Sequence, residues 1–433
     1  MTLPLTVFEK YMFFDDRPEY PMDSFRLLRF SGELDLDVFH VSIQAVAVHH
    51  PLLRSIVKKI GRRNYAWQEV DVPVAVKHDS EHETPIPERI NLETAPGFRV
   101  YIATGKKNAA AVLFQFHHSV SDGLGEMEVI GEILTDYAAR IGHQTPPPIH
   151  RDASLLAIRG KTGLTLKSYL KNYFHTAITT RQLLFGKPDP LRSYDPAKIT
   201  AIDNYFAFQT RELSESETKR FFSKAKQREV TVNDYLLTIC FQTMNAWREH
   251  WVQPPGNPKY RLAVPMNLRT EKHKNIPASN TVTMLFLDRR HQQCGQETPL
   301  LQSVSREMNW AKRTEQKHYL ISGLWIRDCL PGGIAPMMRT NQCRSTVVLS
   351  NLGRVFEDLR LPSREDGKLI VGGAVLEEVN AAPPIRPGTF ISMSVLTYAN
   401  RLRLILRYDS QTMSGEQADD FLKRFSDLLV GIN

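Results

Sequence analysis

Apolar and polar positions along the chain follow blocks that are typical of a mixed α/β protein. Residues 109–116 form a short apolar run that is rich in β-forming side chains, and this run predicts a buried strand. Apolar side chains then recur at helical spacing over residues 127–137, which predicts an amphipathic helix. Ser121 or Asp122 can cap the first turn of that helix. The pattern therefore predicts a strand that passes into a helix through a short polar loop.

Further blocks on both sides of this loop predict two compact units. From Phe25 to about Tyr137 the pattern is strand, helix, strands and helix, and the proline-rich stretch 145–148 interrupts it. The elements predicted for the second unit are a helix that opens at 214–217, a helix over 230–247, strands at 262–267, 281–287, 345–349, 391–398 and 402–408, and a helix over 416–430. We therefore expect an N-terminal unit at residues 1–180 and a C-terminal unit at residues 181–433.

The loop between the predicted strand and helix carries the side chains best suited to chemistry. Residues 117–123 read HHSVSDG. Neighbouring residues of a strand point to opposite faces, so His117 and His118 cannot easily share one metal ion or one task. A neutral imidazole can take a proton from an alcohol, thiol or amine near neutral pH. We expect one histidine to be buried and the other to be presented, and the alternative is a pair that backbone groups satisfy at a strand end.

Composition limits the class of protein. With 433 residues and 42% hydrophobic content, the chain can form two domains with a core each, as a soluble globular protein. No apolar run approaches the ~20 residues that span a bilayer, and no signal sequence is visible at the N-terminus, so we expect a cytoplasmic protein. The cysteines are few and far apart in the sequence, which argues against a disulfide framework or a metal site. We expect them to be free and buried.

The net charge of +8 is unevenly distributed along the chain. Residues 151–200 contain nine Lys or Arg and three Asp, and so supply six of the eight charges. Basic residues at Lys161, Lys167, Lys171 and Arg181 alternate there with apolar ones, which predicts a basic amphipathic helix. This helix is either a solvated surface element or a docking face for a phosphate-rich donor, an acidic carrier protein or an anionic membrane. No nucleic-acid-binding motif accompanies the charge, so we expect no nucleic-acid partner.

The segment 117–123 resembles the HHxxxDG signature of the chloramphenicol acetyltransferase-like superfamily, which includes peptide condensation domains, plant BAHD acyltransferases and polyketide-associated acyltransferases. Other segments resemble the superfamily in the same order, and they are 50–54 (HPLLR), 96–100 (PGFRV), 231–237 (TVNDYLL), 264–269 (VPMNLR) and 349–353 (LSNLG). The resemblance covers nearly the whole chain. The DFGWG motif of the plant enzymes does not occur, and the sequence is most similar to stand-alone alcohol acyltransferases of the polyketide-associated or alcohol acetyltransferase type.

The resemblance implies an α/β fold of two similar chloramphenicol acetyltransferase-like sandwich subdomains, with a chain crossover and a substrate tunnel at their interface. It also implies an acyltransferase without a bound cofactor. An acyl group would move from a thioester, either acyl-CoA or an acyl carrier protein, to the hydroxyl or amine of a small-molecule acceptor. His118, the second histidine of the motif, would be the catalytic base. We expect a monomer with no transmembrane segment.

The other residues of the motif receive structural roles by the same resemblance. His117 would be structural, and Asp122 would point away from the imidazole. An ion pair between Asp122 and Arg269 would hold the loop, and Arg54 is the alternative partner. Gly123 would be required for a close backbone approach or a special backbone angle.

The resemblance also suggests a donor for the oxyanion that develops during acyl transfer. Ser350 and Asn351 are the candidates for this substrate-binding role, because their strand end lies near the active centre in relatives. The alternative is that both residues only form a structural turn.

The sequence also bears on other possible functions. The motifs of serine hydrolases, zincins, P-loop proteins and dinucleotide-binding proteins are missing. Hydrolysis of a thioester by the same histidine remains open, as does amide synthesis of the peptide-condensation type. A protein of a different class, a non-catalytic relative that binds or docks a partner, is the further alternative.

Overall fold

The computed structural model describes residues 2–61, 63–105, 109–161, 186–192, 206–252 and 256–431. The helices longer than a single 3-10 turn are α1 (Val7–Asp15), α2 (Leu36–Ala47), α3 (Gly123–Ile141), α4 (Glu215–Gln227), α5 (Val232–Trp251), α6 (Glu297–Arg313), α7 (Tyr319–Cys329), α8 (Ala335–Met338) and α9 (Gly415–Val430). The strands of the N-terminal part are β1 (Thr2–Pro4), β2 (Asp23–Ser31), β3 (Ser55–Lys59), β4 (Tyr65–Glu69), β5 (Ala75–Asp79), β6 (Phe98–Thr104) and β7 (Ala110–His117). The remaining strands are β8 (Phe208–Glu212), β9 (Lys259–Asn267), β10 (Val282–Arg290), β11 (Val347–Arg354), β12 (Ile370–Val371), β13 (Ala374–Ala382), β14 (Ile391–Tyr398) and β15 (Arg401–Tyr408).

One six-stranded sheet organises the N-terminal half. Its strand order is β12-β13-β2-β7-β6-β5, and only the edge pair β5 and β6 is parallel. Strand β7 lies inside the sheet, between β2 and β6, and all of its residues are buried. Burial on both faces explains why its sequence is continuously apolar instead of alternating. A small sheet of order β1-β4-β3 accompanies this half.

A second six-stranded sheet organises the C-terminal half. Its strand order is β10-β9-β11-β14-β15-β8, with β11 parallel to both of its neighbours and the other pairs antiparallel. A separate apolar core lies on this sheet, built around α5 and α9, with Trp247 and Phe425 fully buried within it. The N-terminal core is built around α2 and α3, with Phe39 and Ile133 fully buried within it. The fold is therefore the predicted pair of chloramphenicol acetyltransferase-like α/β halves.

A later part of the chain contributes strands to one side of the N-terminal sheet. Strand β13 follows β11 in the sequence, yet it pairs antiparallel with β2 of the N-terminal sheet. The hydrophobic pattern did not predict this strand. The expected boundary near residue 180 falls outside the described residues and stays a prediction. The basic amphipathic helix expected over 161–181 also lies outside them, except for Lys161.

The predicted elements around the motif agree with the structure to within a few residues. The strand expected at 109–116 is β7 at Ala110–His117, and the expected strands at 262–267 and 281–287 are β9 and β10. One expectation about the cysteines is wrong. All four are free, and Cys240 and Cys294 are buried, but Cys329 is exposed at the end of α7 and Cys343 is half-buried. Among the described helices, none combines the length and the apolar character that crossing a membrane requires.

Candidate active site

The loop from His118 to Asp122 joins β7 to α3. Asp122 is the N-cap of α3, and its Oδ1 accepts a hydrogen bond from the Gly125 amide at 3.0 Å. A carboxylate is favourable there, because the first turn of a helix presents unpaired N–H groups and the positive end of the helix dipole. The cap fixes where the helix begins and therefore where the loop ends.

His118 presents its ring to a cavity between the two halves. Its backbone amide donates to the Met22 carbonyl at 2.7 Å, which ties the residue to the start of β2. Its Nδ1 lies 2.9 Å from the Ser121 carbonyl oxygen, which can only accept, so Nδ1 carries the proton in the assigned tautomer. The lone pair of the neutral ring is then on Nε2. Among the described residues, none forms a hydrogen bond with Nε2, and the ring lines the cavity wall.

His117 faces the opposite side of the strand and is fully buried. Its Nδ1 accepts a hydrogen bond from the Ser119 amide at 3.2 Å, and its Nε2 lies 3.7 Å from the carboxylate of Asp16. Burial raises the pKa of Asp16, but the neighbouring His117 and the hydrogen bond from Arg89 outweigh it and leave that pKa below its usual range. Among the described residues none forms a hydrogen bond with His117 Nε2, and this histidine does not line the cavity.

Asp122 and Arg269 form a bidentate ion pair across the interface of the two halves. The Arg269 Nη1 and Nη2 atoms lie 2.9 and 3.0 Å from the two carboxylate oxygens. The Thr281 amide donates to the same carboxylate at 2.8 Å, and Asp122 is only 3% exposed. The expected ion pair is thus present, and the alternative partner is excluded because Arg54 lies beside Glu69 and Asp71. Among the described residues, the hydrogen-bond partners of the Asp122 carboxylate are Gly125, Arg269 and Thr281, and the His118 imidazole is not one of them.

Further polar contacts hold the C-terminal half against the loop. The Asn280 Nδ2 group donates to the carbonyls of His118 and Ser119, each at 2.8 Å. On the other side of α3, the buried His50 accepts a hydrogen bond from the Ala278 amide at Nδ1, at 2.9 Å. Its Nε2 lies 2.8 Å from the Glu132 carboxylate. The segment around Ala278 therefore crosses the interface and fixes both the loop and α3.

The cavity beside His118 has a volume of about 90 Å³ and draws its wall from both halves. Much of its wall is apolar, and these side chains are Phe8, Met12, Met22, Ala263, Pro265, Val282, Met284, Phe286 and Val348. Ser350 lines it as well, whereas Asn351 is exposed and does not. The Asn351 side chain instead accepts from the Gly353 amide at 3.0 Å, where β11 loses its regular register and Gly353 has φ +69. Of the two oxyanion candidates, only Ser350 is positioned to meet a substrate.

A buried ion pair near His118 has no counterpart in the sequence predictions. Arg26 and Glu126 lie 2.6 Å apart, and Ser24 donates to Glu126 at 2.8 Å. Burial raises the pKa of Glu126, with Arg26 and His118 opposing the rise. A Cβ atom added at Gly123 would lie 3.3 Å from Arg26 Nη2, so the pair abuts the start of α3. An arginine inside an apolar strand is the one sequence signal that points to this pair.

The fold and the site together define a class of protein. Two α/β halves that enclose a cavity with a histidine at its wall are typical of chloramphenicol acetyltransferase-like transferases. Residues 13–251 match the family model described as "Condensation domain". Because this match covers more than half of the chain, the protein belongs to the condensation-domain family. Membership supports a transferase of the acyl or condensation type.

Individual relatives resemble the chain at low sequence identity. The uncharacterized protein Rv2305 of Mycobacterium tuberculosis (H37Rv) is 24% identical over an alignment 455 positions long, which covers 99% of each chain. The starter condensation domain of rhizomide synthetase, solved in complex with C8-CoA, has a TM-score of 0.67 at 14% identity, covering 100% of this chain and 95% of that one. Polyketide synthase associated protein 5 of Mycobacterium tuberculosis has a TM-score of 0.63 at 12% identity, covering 98% and 97%. These solved structures share the fold.

Proposed function

We propose that the protein is an acyltransferase that moves an acyl group from a thioester to the hydroxyl or amine of a small-molecule acceptor, with His118 as the general base. The observation that carries this proposal is the orientation of the His118 ring. Its Nδ1 is anchored to the Ser121 carbonyl at 2.9 Å and the ring lines the cavity, so we propose that the opposite nitrogen is the one that meets a substrate. A base that is held in one tautomer beside a cavity is what proton abstraction requires.

The proposed reaction proceeds without an acyl-enzyme. The acceptor O–H or N–H gives its proton to Nε2 of His118 while the acceptor atom attacks the thioester carbonyl. The tetrahedral intermediate then collapses, the C–S bond breaks, and the leaving thiolate takes the proton from the imidazolium. The ester or amide and a free thiol are the products, and His118 returns to its neutral form.

Positioning supplies the rest of the proposed rate enhancement. Residues of both halves surround His118, so donor and acceptor would meet in one cavity, and the bimolecular reaction becomes effectively intramolecular. We propose the Ser350 hydroxyl as a donor to the developing oxyanion, because it lines the same cavity. Asp122 and Arg269 act in this scheme by holding the loop and not by contacting the substrate.

The thioester donor is proposed to be acyl-CoA or an acylated carrier protein, as a co-substrate, and the reaction needs no bound cofactor. The rhizomide condensation domain with this fold was solved with C8-CoA, which supports the choice of CoA thioesters as the first donors to test. Alcohols and amines are both chemically suitable acceptors, since His118 can deprotonate either one as it attacks.

Thiol release from a panel of acyl-CoA donors tests this proposal, measured with and without a mixture of alcohols and amines. The wild type is compared with His118→Ala, and with His78→Ala as a control that removes an exposed histidine on β5. Loss of a general base lowers the rate by about 10²–10⁴-fold. We expect acceptor-dependent release by the wild type and the control, and its loss in a folded His118→Ala.

Two results would contradict the proposal. Release that ignores the acceptor would indicate a thioesterase, and acceptor-dependent release that survives His118→Ala would exclude this histidine as the base. If CoA donors give no release, the same panel is repeated with acyl groups on a phosphopantetheinylated carrier protein. Failure with both donor types would favour a non-catalytic protein.

A further inference from the structure

Asp15 lines the cavity and has three arginines in its neighbourhood; we call Arg17, Arg344 and Arg386 with Asp15 the arginine cluster. Arg386 binds both oxygens of Asp15, with Nε at 2.6 Å and Nη2 at 3.0 Å. Arg17 lies 3.9 Å from the same carboxylate. Asp15 is fully buried and Arg386 is nearly so. The cluster therefore carries three positive charges against one negative charge.

Arg344 is the member without a carboxylate partner among the described residues. It is 3% exposed and lines the cavity. Its Nη2 donates to the Met337 carbonyl at 2.6 Å, but its Nε has no hydrogen-bond partner in the described part of the chain. A buried guanidinium that contacts no anion directly is unfavourable, because its hydrogen bonds to neutral groups replace only part of the hydration that burial removes.

A second donor in the same wall is also unsatisfied. Ser392 is fully buried, lines the cavity, and has no hydrogen-bond partner for its Oγ among the described residues. It lies opposite Val348 on the neighbouring strand, and Val348 follows Arg344 by four residues. By contrast, the nearby Ser345 and Thr389 hydroxyls bond to one another at 3.2 Å. Arg344 and Ser392 therefore each bring a buried donor without an acceptor to one cavity wall, whereas the guanidinium of Arg26, whose Nε is also unsatisfied, is already paired with Glu126.

The other charged groups of the cavity are already paired. Arg26 is paired with Glu126, and Asp122 with Arg269. They cannot neutralise Arg344 without leaving a charge of their own uncompensated. The excess positive charge is thus confined to the arginine cluster, which includes residues from α1, from the segment before β11 and from the loop before β14.

We propose that Arg344 and Ser392 form a subsite for a carboxylate carried by one of the two substrates. Both residues line the same cavity, and a cationic guanidinium together with a hydroxyl donor is a combination that favours an anionic oxygen ligand such as a carboxylate. Arg17 and Arg386 are occupied by Asp15 and by backbone carbonyls, so they add charge without further direct bonds. The carboxylate belongs either to the far end of the acyl chain or to the acceptor. This inference rests on the proposed acyl-transfer function and extends it to the class of substrate.

Binding measurements test the subsite without requiring turnover. The His118→Ala protein is titrated by calorimetry with succinyl-, adipoyl- and sebacoyl-CoA, each against butyryl-, hexanoyl- or decanoyl-CoA of the same length. A second arm compares ω-hydroxyhexanoate with hexanol as acceptor. We expect at least about tenfold tighter binding of the carboxylated partner in one arm, and the responding arm identifies the substrate that carries the charge.

Arg344→Gln should reduce this preference to within about twofold. Arg339→Gln is the matched control, because it removes an exposed arginine five residues away and should preserve the preference. If Arg344→Gln does not fold, Ser392→Ala and Arg344→Lys replace it in the test. Each should weaken the preference for the carboxylated ligand without abolishing the binding of uncharged ligands. The inference is overturned by equal binding of the members of every pair, or by a preference that Arg344→Gln leaves intact. Carboxylate binding without acyl transfer by the wild type would instead refute the proposed function.

Discussion

Two neighbouring histidines at the end of β7 lie in opposite surroundings. His117, the last residue of the strand, is fully buried, with the Ser119 amide on its Nδ1 and the Asp16 carboxylate 3.7 Å from its Nε2. His118, the first residue of the loop that follows, anchors Nδ1 to the Ser121 carbonyl, and its ring lines the cavity. One step along the chain therefore separates a buried histidine from one that borders the cavity. The point at which the strand ends, and not the residue type, decides which surroundings each ring meets.

The position of the loop that carries His118 depends most strongly on Asp122. Asp122→Ala removes the α3 cap and the acceptor for Arg269 and Thr281, which leaves the guanidinium buried and unpaired. Loss of one partner of such a pair costs about 3–5 kcal/mol. We expect a drop of that size in the free energy of unfolding in urea, with activity lost even in the folded fraction.

Asp122→Asn sharpens this result, because an amide retains a capping oxygen but not the charge. Its unfolding free energy should fall between those of the wild type and Asp122→Ala. An unchanged midpoint for Asp122→Ala would mean that the ion pair does not hold the loop.

His117→Ala tests the role of the buried histidine. This change removes the acceptor for the Ser119 amide and leaves a space beside Asp16. An unsatisfied buried donor costs about 1–3 kcal/mol. We expect a lower melting temperature and acceptor-dependent thiol release that stays within a few-fold of the wild type at temperatures where the variant is folded. If His117→Ala proved as inactive as His118→Ala while remaining as stable as the wild type, the two histidines would not differ in role.

A third histidine, His50, extends the comparison to pH. Burial holds its pKa below the usual value although Glu132 opposes the shift, and its Nδ1 can accept the Ala278 amide only when unprotonated. Below about pH 6.5 the unfolded chain binds a proton that the folded protein does not. The free energy of unfolding should therefore fall as the pH decreases from about 6.5, by at most about 1.4 kcal/mol per pH unit from this group.

Unfolding curves collected at a series of pH values measure this effect. His50→Gln, which can make both hydrogen bonds without titrating, should flatten the dependence between about pH 6.5 and pH 5. Glu132 acts separately, because its lowered pKa contributes stability that is lost only at lower pH. Equal slopes for the variant and the wild type would exclude His50 as the source.

The smallest expected effect concerns Gly123. Its φ is not in the left-handed region, so the constraint is space: an added Cβ would lie 2.9 Å from Leu352 Cδ2 and 3.3 Å from Arg26 Nη2. Since Leu352 can partly move away, we expect Gly123→Ala to cost about 1 kcal/mol in unfolding free energy. Trimming the neighbour in Gly123→Ala/Leu352→Val should restore most of it, and a double variant no better than the single one would place the strain elsewhere.

The elements around HHxxxDG were predictable because their signals are local. The continuous apolar run, the capping carboxylate and the helical spacing all fall within about thirty residues, and β7 and α3 follow them closely. Strand β13 was missed because its pairing with β2 depends on residues more than three hundred positions away. The local pattern of apolar and polar residues therefore does not mark this segment as a strand.

The site was predictable only where a motif marked it. The segment that contains Arg269 marks it in the sequence. Arg26 and Glu126, by contrast, meet only when α3 packs on the N-terminal sheet, and Arg344 joins Arg26 in the cavity wall only when the two halves pack together. Ser350 and Asn351 are adjacent strand residues that face opposite ways, so Ser350 lines the cavity and Asn351 is exposed to solvent. Motifs locate the loop, whereas tertiary packing decides which charges surround it.

The carboxylate of Asp122 serves at the same time as the cap of α3, as the partner of Arg269 and as the acceptor for the Thr281 amide just before β10. Any hinge motion that swings the halves apart at this point must also uncap α3 and free the segment that carries His118. Opening there and dismantling the loop that carries His118 are therefore one event. A separation of the halves at Asp122 would thus undo the surroundings of His118 instead of only widening the cavity.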